Sequence, residues 1–238
     1  AEGEGSINAD MTLQRTPLLL LNGFVPDKLL TFKGYAQGEV KVKGSLARPE
    51  VNGELYFDSA YVASEPYGVK MRLCDDQLAI NNSRMQFENF QLFARNGNAL
   101  TLYGYFDFAD FDRMQTYLRM RADNYLLIDS KENARSEAYG KAYVNFLGLV
   151  DGPLDALRMR GKLDVLGSSN VTYILRDSPL STESQLDGLV KFVNFRKPET
   201  ATVAKPPING LNMDLTVNVD DGAHVLCALN PDKSNYVD

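Results

Sequence analysis

The 238 residues are enough for one large domain or two small ones, and an apolar share of 44% with 24% charged residues excludes an intrinsically disordered or collagen-like chain. With 25 basic against 31 acidic side chains, the net charge of -6 repels phosphate backbones, so nucleic acid is not an expected partner. One histidine, His224, and two cysteines, Cys74 and Cys227, cannot assemble a His-rich or Cys-rich metal site, and no cofactor is expected.

In chain order, the first signal is strict alternation over 7–13, where Ile7, Ala9, Met11 and Leu13 are apolar and the residues between them polar, the pattern of a strand with one buried face. A helical turn is expected near Pro26 to Leu30. Strands follow at 39–43, 51–57, 69–73, 77–80, 84–87, 90–94 and 100–108, then at 115–122, 125–128, 141–146, 156–165 and 171–175. Thr182 and Gln185 form a capping box ahead of Leu186, Leu189, Val190 and Val193 at helical spacing, which predicts an amphipathic helix over 183–195. Pro198, Pro206 and Pro207 mark 196–209 as a loop. Alternation returns at 211–219, and Asp221-Gly222 reads as a hairpin turn into a last strand from Ala223.

This amounts to about fifteen strands joined by connections too short for βαβ crossovers, so the sheet is expected to be mainly antiparallel and built from hairpins. Two stretches resemble one another: Gly38 to Leu55 and Gly140 to Leu163 each run strand, Pro-containing turn, strand, then Gly-(Glu or Lys)-Leu. Such self-similarity favours a repetitive β array. The expected organisation is an array over 1–195 that includes the helix, the loop 196–209, and a continuation of the array over 210–238. The absence of an initiator methionine and of a signal peptide suggests a piece of something longer, and no run reaches the roughly 20 apolar residues of a membrane-spanning helix.

Few residues suggest catalysis. The acid pairs Asp75-Asp76 and Asp220-Asp221 sit beside predicted turns, and neighbours on a strand point to opposite faces, so neither reads as a paired acid and base. His224 is a lone strand histidine, and Ser168-Ser169 after Gly167 reads as a turn. Lys41, Lys43, Arg158 and Arg160 alternate with apolar residues and belong to a solvent face. Tyr103, Tyr105, Phe106, Phe108 and Phe111 either line a ligand groove or pack across strands. Cys74 and Cys227 are open to a disulfide in an oxidising compartment or to burial as small hydrophobes.

The informative feature is collective. At about 4.8 Å per strand, a single sheet of this many strands extends about 70 Å, with one face apolar throughout. A closed solenoid would hide that face, whereas a sheet folded lengthwise into a trough would leave a channel suited to acyl chains. The order and spacing of Leu100-Thr-Leu102-Tyr-Gly104, Tyr139-Gly140-Lys-Ala-Tyr-Val144, Gly152-Pro153-Leu154 and the run from Val171 through Pro179 to Phe195 resemble the TamB-like (translocation and assembly module) family, over roughly Tyr35 to Phe195.

The resemblance implies a noncatalytic periplasmic segment of an inner-membrane-anchored envelope protein, similar to the AsmA-like bridge-forming lipid-transfer proteins. It also implies an all-β, elongated and curved β-taco-like sheet whose apolar groove carries phospholipid acyl chains between the inner and outer membranes. The implied protein partner is a TamA- or BamA-type outer-membrane barrel. The alternative is a scaffold that assists assembly of outer-membrane proteins through exposed strand edges. The residues expected to line the groove are Val40, Val42, Leu55, Phe57, Leu100 and Leu102, with Val144, Phe146, Leu157, Met159, Leu163 and Val165. The helix over 183–195 departs from a pure β-taco array.

Overall fold

The computed structural model describes residues 6–24, 30–45, 48–174, 211–228 and 236–237. The helix expected over 183–195 and the loop over 196–209 lie outside the described residues. The described residues form one 14-stranded sheet. Its strands are β1 (Ser6–Pro17), β2 (Thr31–Ser45), β3 (Pro49–Ser64), β4 (Val69–Leu73), β5 (Leu78–Asn81), β6 (Arg84–Phe93) and β7 (Ala99–Asp107). The second half comprises β8 (Gln115–Ser130), β9 (Ala138–Pro153), β10 (Leu157–Val165), β11 (Asn170–Ile174), β12 (Leu211–Val219), β13 (His224–Ala228) and β14 (Tyr236–Val237). A 3-10 turn over Leu18–Phe24 joins β1 to β2. It precedes the helical turn expected at 26–30, most of which is outside the described residues.

Register explains the architecture. β4 and β5 both pair antiparallel with β3, so they are one strand interrupted at 74–77. In the same way β10 and β11 both pair with β9 and are one strand interrupted at 166–169. β1, β2, β3, β6 and β8 cross the same line with register shifts, and at four of these Arg15, Ser59, Asn89 and Asn124 take positive φ. A bulge bends its strand and strengthens the local twist, so a row of bulges creases the sheet.

The crease folds the sheet over. Leu118 is paired with Val150 and Val150 with Met159, which puts Met159 level with Leu118. Leu127 is nine residues further along β8, about 30 Å away on a flat sheet. Leu127 and Met159 nevertheless line one cavity, so the two walls face each other across it. The trough stays open at its ends: among the described residues β1 pairs only with β2, and β12 only with β10. At these ends inward apolar side chains are left uncovered, Met11 on β1 and Met213 on β12 being 45% and 57% exposed.

One part of the hairpin expectation is corrected. Most pairs are antiparallel, but β12 lies parallel to β10 and β13 parallel to β11. The next described strand after Ile174 starts at Leu211, beside the start of β10, and Asp221-Gly222 makes no hairpin, because β12 and β13 run in the same direction along β10 and β11. Alternation is the same for parallel and antiparallel edges, so the pattern over 211–219 carried no sign of direction.

Two fully buried serines take up backbone groups of the long strands, Ser83 in the turn between β5 and β6 and Ser169 at the interruption over 166–169. Ser83 Oγ accepts from the Val51 amide at 2.9 Å and donates to the Pro49 carbonyl at 2.6 Å. Ser169 Oγ accepts from the Tyr143 amide at 2.9 Å and donates to the Tyr143 carbonyl at 3.1 Å. Each hydroxyl replaces the ladder bonds that the long neighbouring strand would otherwise lack. Ser83→Ala and Ser169→Ala are each expected to lower stability by about 1–3 kcal/mol, read as a drop in the urea midpoint at constant slope. An unchanged midpoint would mean that these backbone groups find other partners.

Candidate functional site

The inward face is built row by row. Leu100, Ala122, Phe146, Leu163 and Val217 are successive partners across five strands, and Leu102, Met120, Gly148, Gly161 and Leu215 form the next row. The apolar residues of alternating strands therefore stand on one surface. In the second row Gly148 and Gly161 contribute no side chain, and the ring of Phe146 lies over Gly148. Leu100, Ala122, Phe146 and Leu163 of the first row and Met120 and Leu215 of the second line a cavity of about 300 Å³.

Two cavities lie along the trough, and apolar side chains dominate both. The larger, about 410 Å³, is walled by Leu55 and Phe57 of β3 and by Met85, Phe87 and Phe90 of β6. Leu73 and Phe32 close it from the opposite wall, and Leu18, Leu20 and Leu21 of the 3-10 turn stand over it. Leu20 is also 67% exposed to solvent. The smaller cavity is lined by Leu100, Val144, Phe146, Met159 and Leu163 together with Met71, Met120, Tyr125, Leu127 and Leu215. Both volumes fall in the lower part of the roughly 300–1,000 Å³ range of ligand sites.

The residues expected in the groove thus separate into groups. Leu55 and Phe57 meet at the larger cavity, and Leu100, Val144, Phe146, Met159 and Leu163 at the smaller. Val40 and Val42 line neither cavity; they are packed with Val51 and Ile80 in a closed cluster. Leu102 is buried with Cys74, Leu78 and Phe90 between the two cavities, and Val165 belongs to the buried cluster around Val144. Leu157 is half-buried at the start of β10, opposite Leu211. Strand parity places a residue on the inward face, but whether that face is filled at a given point depends on the wall opposite.

Sequence reasoning missed the other wall and the 3-10 turn. Leu18 to Leu21 is the longest aliphatic run in the chain, and that signal marked the segment that stands over the larger cavity. Phe87 and Phe90 face the same cavity despite opposite parity, because the Asn89 bulge lies between them.

The outward face is polar and self-paired. Arg84 binds Asp107 at 2.7 Å and covers the Tyr105 ring, which stacks on Tyr117. The Tyr103 hydroxyl donates to Asn89. Phe106, opposite Met85, and Phe108, packed on the Val40, Val51 and Ile80 cluster, stack on each other on the inward side but line neither cavity, and Phe111 is exposed. Arg158 and Arg160 share the Asp151 carboxylate, while Lys41 and Lys43 are outward on β2. Asp75-Asp76 lies in a bend, Asp220-Asp221 leads into a turn, and His224 is exposed on β13. Cys74 and Cys227 are free thiols, the first buried.

A buried phenol sits in the apolar cluster around Val144. Tyr125 follows the Asn124 bulge and is 2% exposed, and burial pushes its phenol well above the ordinary tyrosine range. Its hydroxyl has no hydrogen-bond partner. Among the described residues no helix is long and apolar enough to cross a membrane. Comparison with protein-family models, with curated proteins and with solved structures finds no match to this chain.

Proposed function

We propose that this chain is a noncatalytic conduit segment of a TamB-like envelope protein, holding phospholipid acyl chains in the creased trough as they pass between inner and outer membrane. The reading places it in the periplasm, with the whole protein anchored in the inner membrane and working with an outer-membrane barrel. The observation that carries it is the pair of apolar cavities between the facing walls of one open sheet.

Apolar contact is non-directional and scales with buried area, so it holds a hydrocarbon chain without fixing its position. Outward Lys, Arg, Asp and Asn residues keep the outside of such a trough hydrated while its inside stays apolar. Open ends at β1 and β12 suit a groove that continues beyond the segment.

Native mass spectrometry of the purified chain, followed by organic extraction, tests this. Phospholipid is expected to co-purify, with release on extraction restoring the mass of the bare chain. A lipid-free chain that also takes up no fluorescent phospholipid from vesicles would overturn the reading.

A further inference from the structure

The net charge of -6 is unevenly placed. Phe32, Met71 and Leu73 turn one side of their wall toward the cavities, so Lys33, Lys70 and Arg72, their neighbours along β2 and β4, stand on its outer side. Lys33 is level with Tyr61, Tyr61 with Arg72 and Arg72 with Phe93, one row across four strands. The Asp129 amide donates to the Gly68 carbonyl, and Asp129 is paired with Lys141, so the wall continues onto β8 and β9. Val144 faces the smaller cavity, and Lys141, three positions away on β9, therefore faces outward. Around it Arg95, Lys131 and Lys141 rim an open groove of about 610 Å³, with Ser168 and Asn170 beside them.

These six cations are all exposed. Arg95 is paired with Asp129 at 3.0 Å and Arg72 with Asp75 at 3.9 Å, whereas Lys33, Lys70, Lys131 and Lys141 form no ion pair with any described residue. Aromatic rings lie between them: Lys70 sits over Tyr61 at 4.3 Å and Arg72 over Phe93 at 4.7 Å. The 3-10 turn stands at the edge of this face. Pro17 is opposite Tyr35 on β2, and the Asn22 side chain accepts from the Phe32 amide at 2.7 Å, which clamps the turn beside Lys33. Leu18 is buried, but Leu19, Leu20 and Leu21 are 60%, 67% and 44% exposed. Successive exposed leucines flanked by cations and aromatic rings have the composition of a membrane-interface segment.

We propose that this outer face docks the chain on an anionic phospholipid bilayer, its lysines and arginines meeting the phosphates while the leucine turn inserts at the boundary between headgroups and hydrocarbon. Charge complementarity carries the choice of partner, since the unpaired lysines are free to take phosphates. The adjoining leucines favour a bilayer over an acidic protein, because a bilayer offers hydrocarbon just beneath its charged layer. The lysines lie on the opposite side of the wall from the cavities and Leu19 lines neither cavity, so the contact does not depend on what fills the trough.

The test is flotation of the full chain with vesicles of phosphatidylethanolamine and phosphatidylglycerol, against vesicles of phosphatidylcholine alone. Binding is expected to favour the anionic vesicles and to fall as salt rises from about 50 mM to about 500 mM, where charges are screened. Lys131→Gln combined with Lys141→Gln is expected to weaken it by about tenfold or more, at roughly fivefold per lysine. Leu19→Asp is expected to weaken it by on the order of tenfold, the worth of burying one leucine. Lys41→Gln combined with Lys43→Gln changes the net charge equally on the far side of the crease and is expected to leave binding unchanged. All five positions are exposed, so strand content by circular dichroism should persist in every variant. Equal binding to both kinds of vesicle, as large a loss in the Lys41 and Lys43 variant, or unchanged binding by Leu19→Asp would each overturn the proposal. So would binding of polyglutamate by a chain that ignores anionic vesicles, a result that assigns the face to an acidic protein.

Discussion

Leu163→Asp is expected to abolish acyl-chain uptake in a chain that still folds, whereas Val144→Asp is expected to prevent folding. The two residues line the same cavity, yet their settings differ. Val144 is 2% exposed, at the centre of the cluster formed with Ala94, Ala122, Tyr125, Leu126 and Val165. A carboxylate placed there has neither water nor a partner, and the cost of roughly 4 kcal/mol or more is comparable with the stability of a whole domain.

Leu163 is only half-buried and faces the opening, so an aspartate there reaches solvent and the fold loses about 1–2 kcal/mol of apolar burial. The cavity, however, acquires a hydrated charge in its wall, and a hydrocarbon entering it must strip that charge of water. Circular dichroism with vesicle-uptake assays separates the effects: strand content should persist in Leu163→Asp and collapse in Val144→Asp. Full uptake by a folded Leu163→Asp chain would mean that acyl chains do not use the smaller cavity.

Gly104→Val is expected to destabilise the chain by about 3 kcal/mol or more without touching either cavity. Gly104 lies mid-strand in β7 at a φ of +135°, a conformation that a β-branched residue scarcely adopts. A Cβ there would overlap the carbonyl oxygen of Tyr117 on β8. β7 is hydrogen-bonded along both sides, to β6 and to β8, and has no free direction in which to shift. Urea denaturation should show a much lower midpoint for Gly104→Val, and an unchanged midpoint would show that this ladder is more compliant than its register suggests.

The inward face was legible in the sequence because a strand alternates with period two, and this requires only neighbours along the chain. Ile7 to Leu13 and Leu211 to Val219 were readable for that reason; the break at Asp221-Gly222 was readable from turn chemistry, but the strands on its two sides run on in one direction instead of forming the expected hairpin. Bulges interfered. Residues 84–94 read as two strands because parity changes between Phe87 and Phe90, and 115–128 read as two because it changes between Ala122 and Tyr125. In the structure β6 and β8 are continuous, with Asn89 and Asn124 absorbing one residue each at positive φ. The parity change was visible, but its meaning as part of a crease depends on neighbouring strands bending at the same level.

The candidate site was therefore half legible. Leu55, Phe57, Leu100, Val144, Phe146, Met159 and Leu163 could be placed on the apolar face from alternation, and they line the cavities. Val40 and Leu102 obey the same alternation but are closed over by their neighbours, and Val42 is half-buried beside Val40. Met71, Leu73 and Leu127 come from the opposite wall, which only the crease brings near.

The sequence by itself determined an all-β chain with one apolar face, strands joined mostly by tight turns, and an outward surface of charged and polar residues. Tertiary structure decided the rest: where the sheet folds, which inward residues remain uncovered, the parallel return of β12 and β13, and the unpartnered hydroxyl of Tyr125. The physical reason is range. Alternation and turn chemistry act between residues a few positions apart, whereas register, closure of a wall and the satisfaction of a buried donor depend on residues distant in the chain.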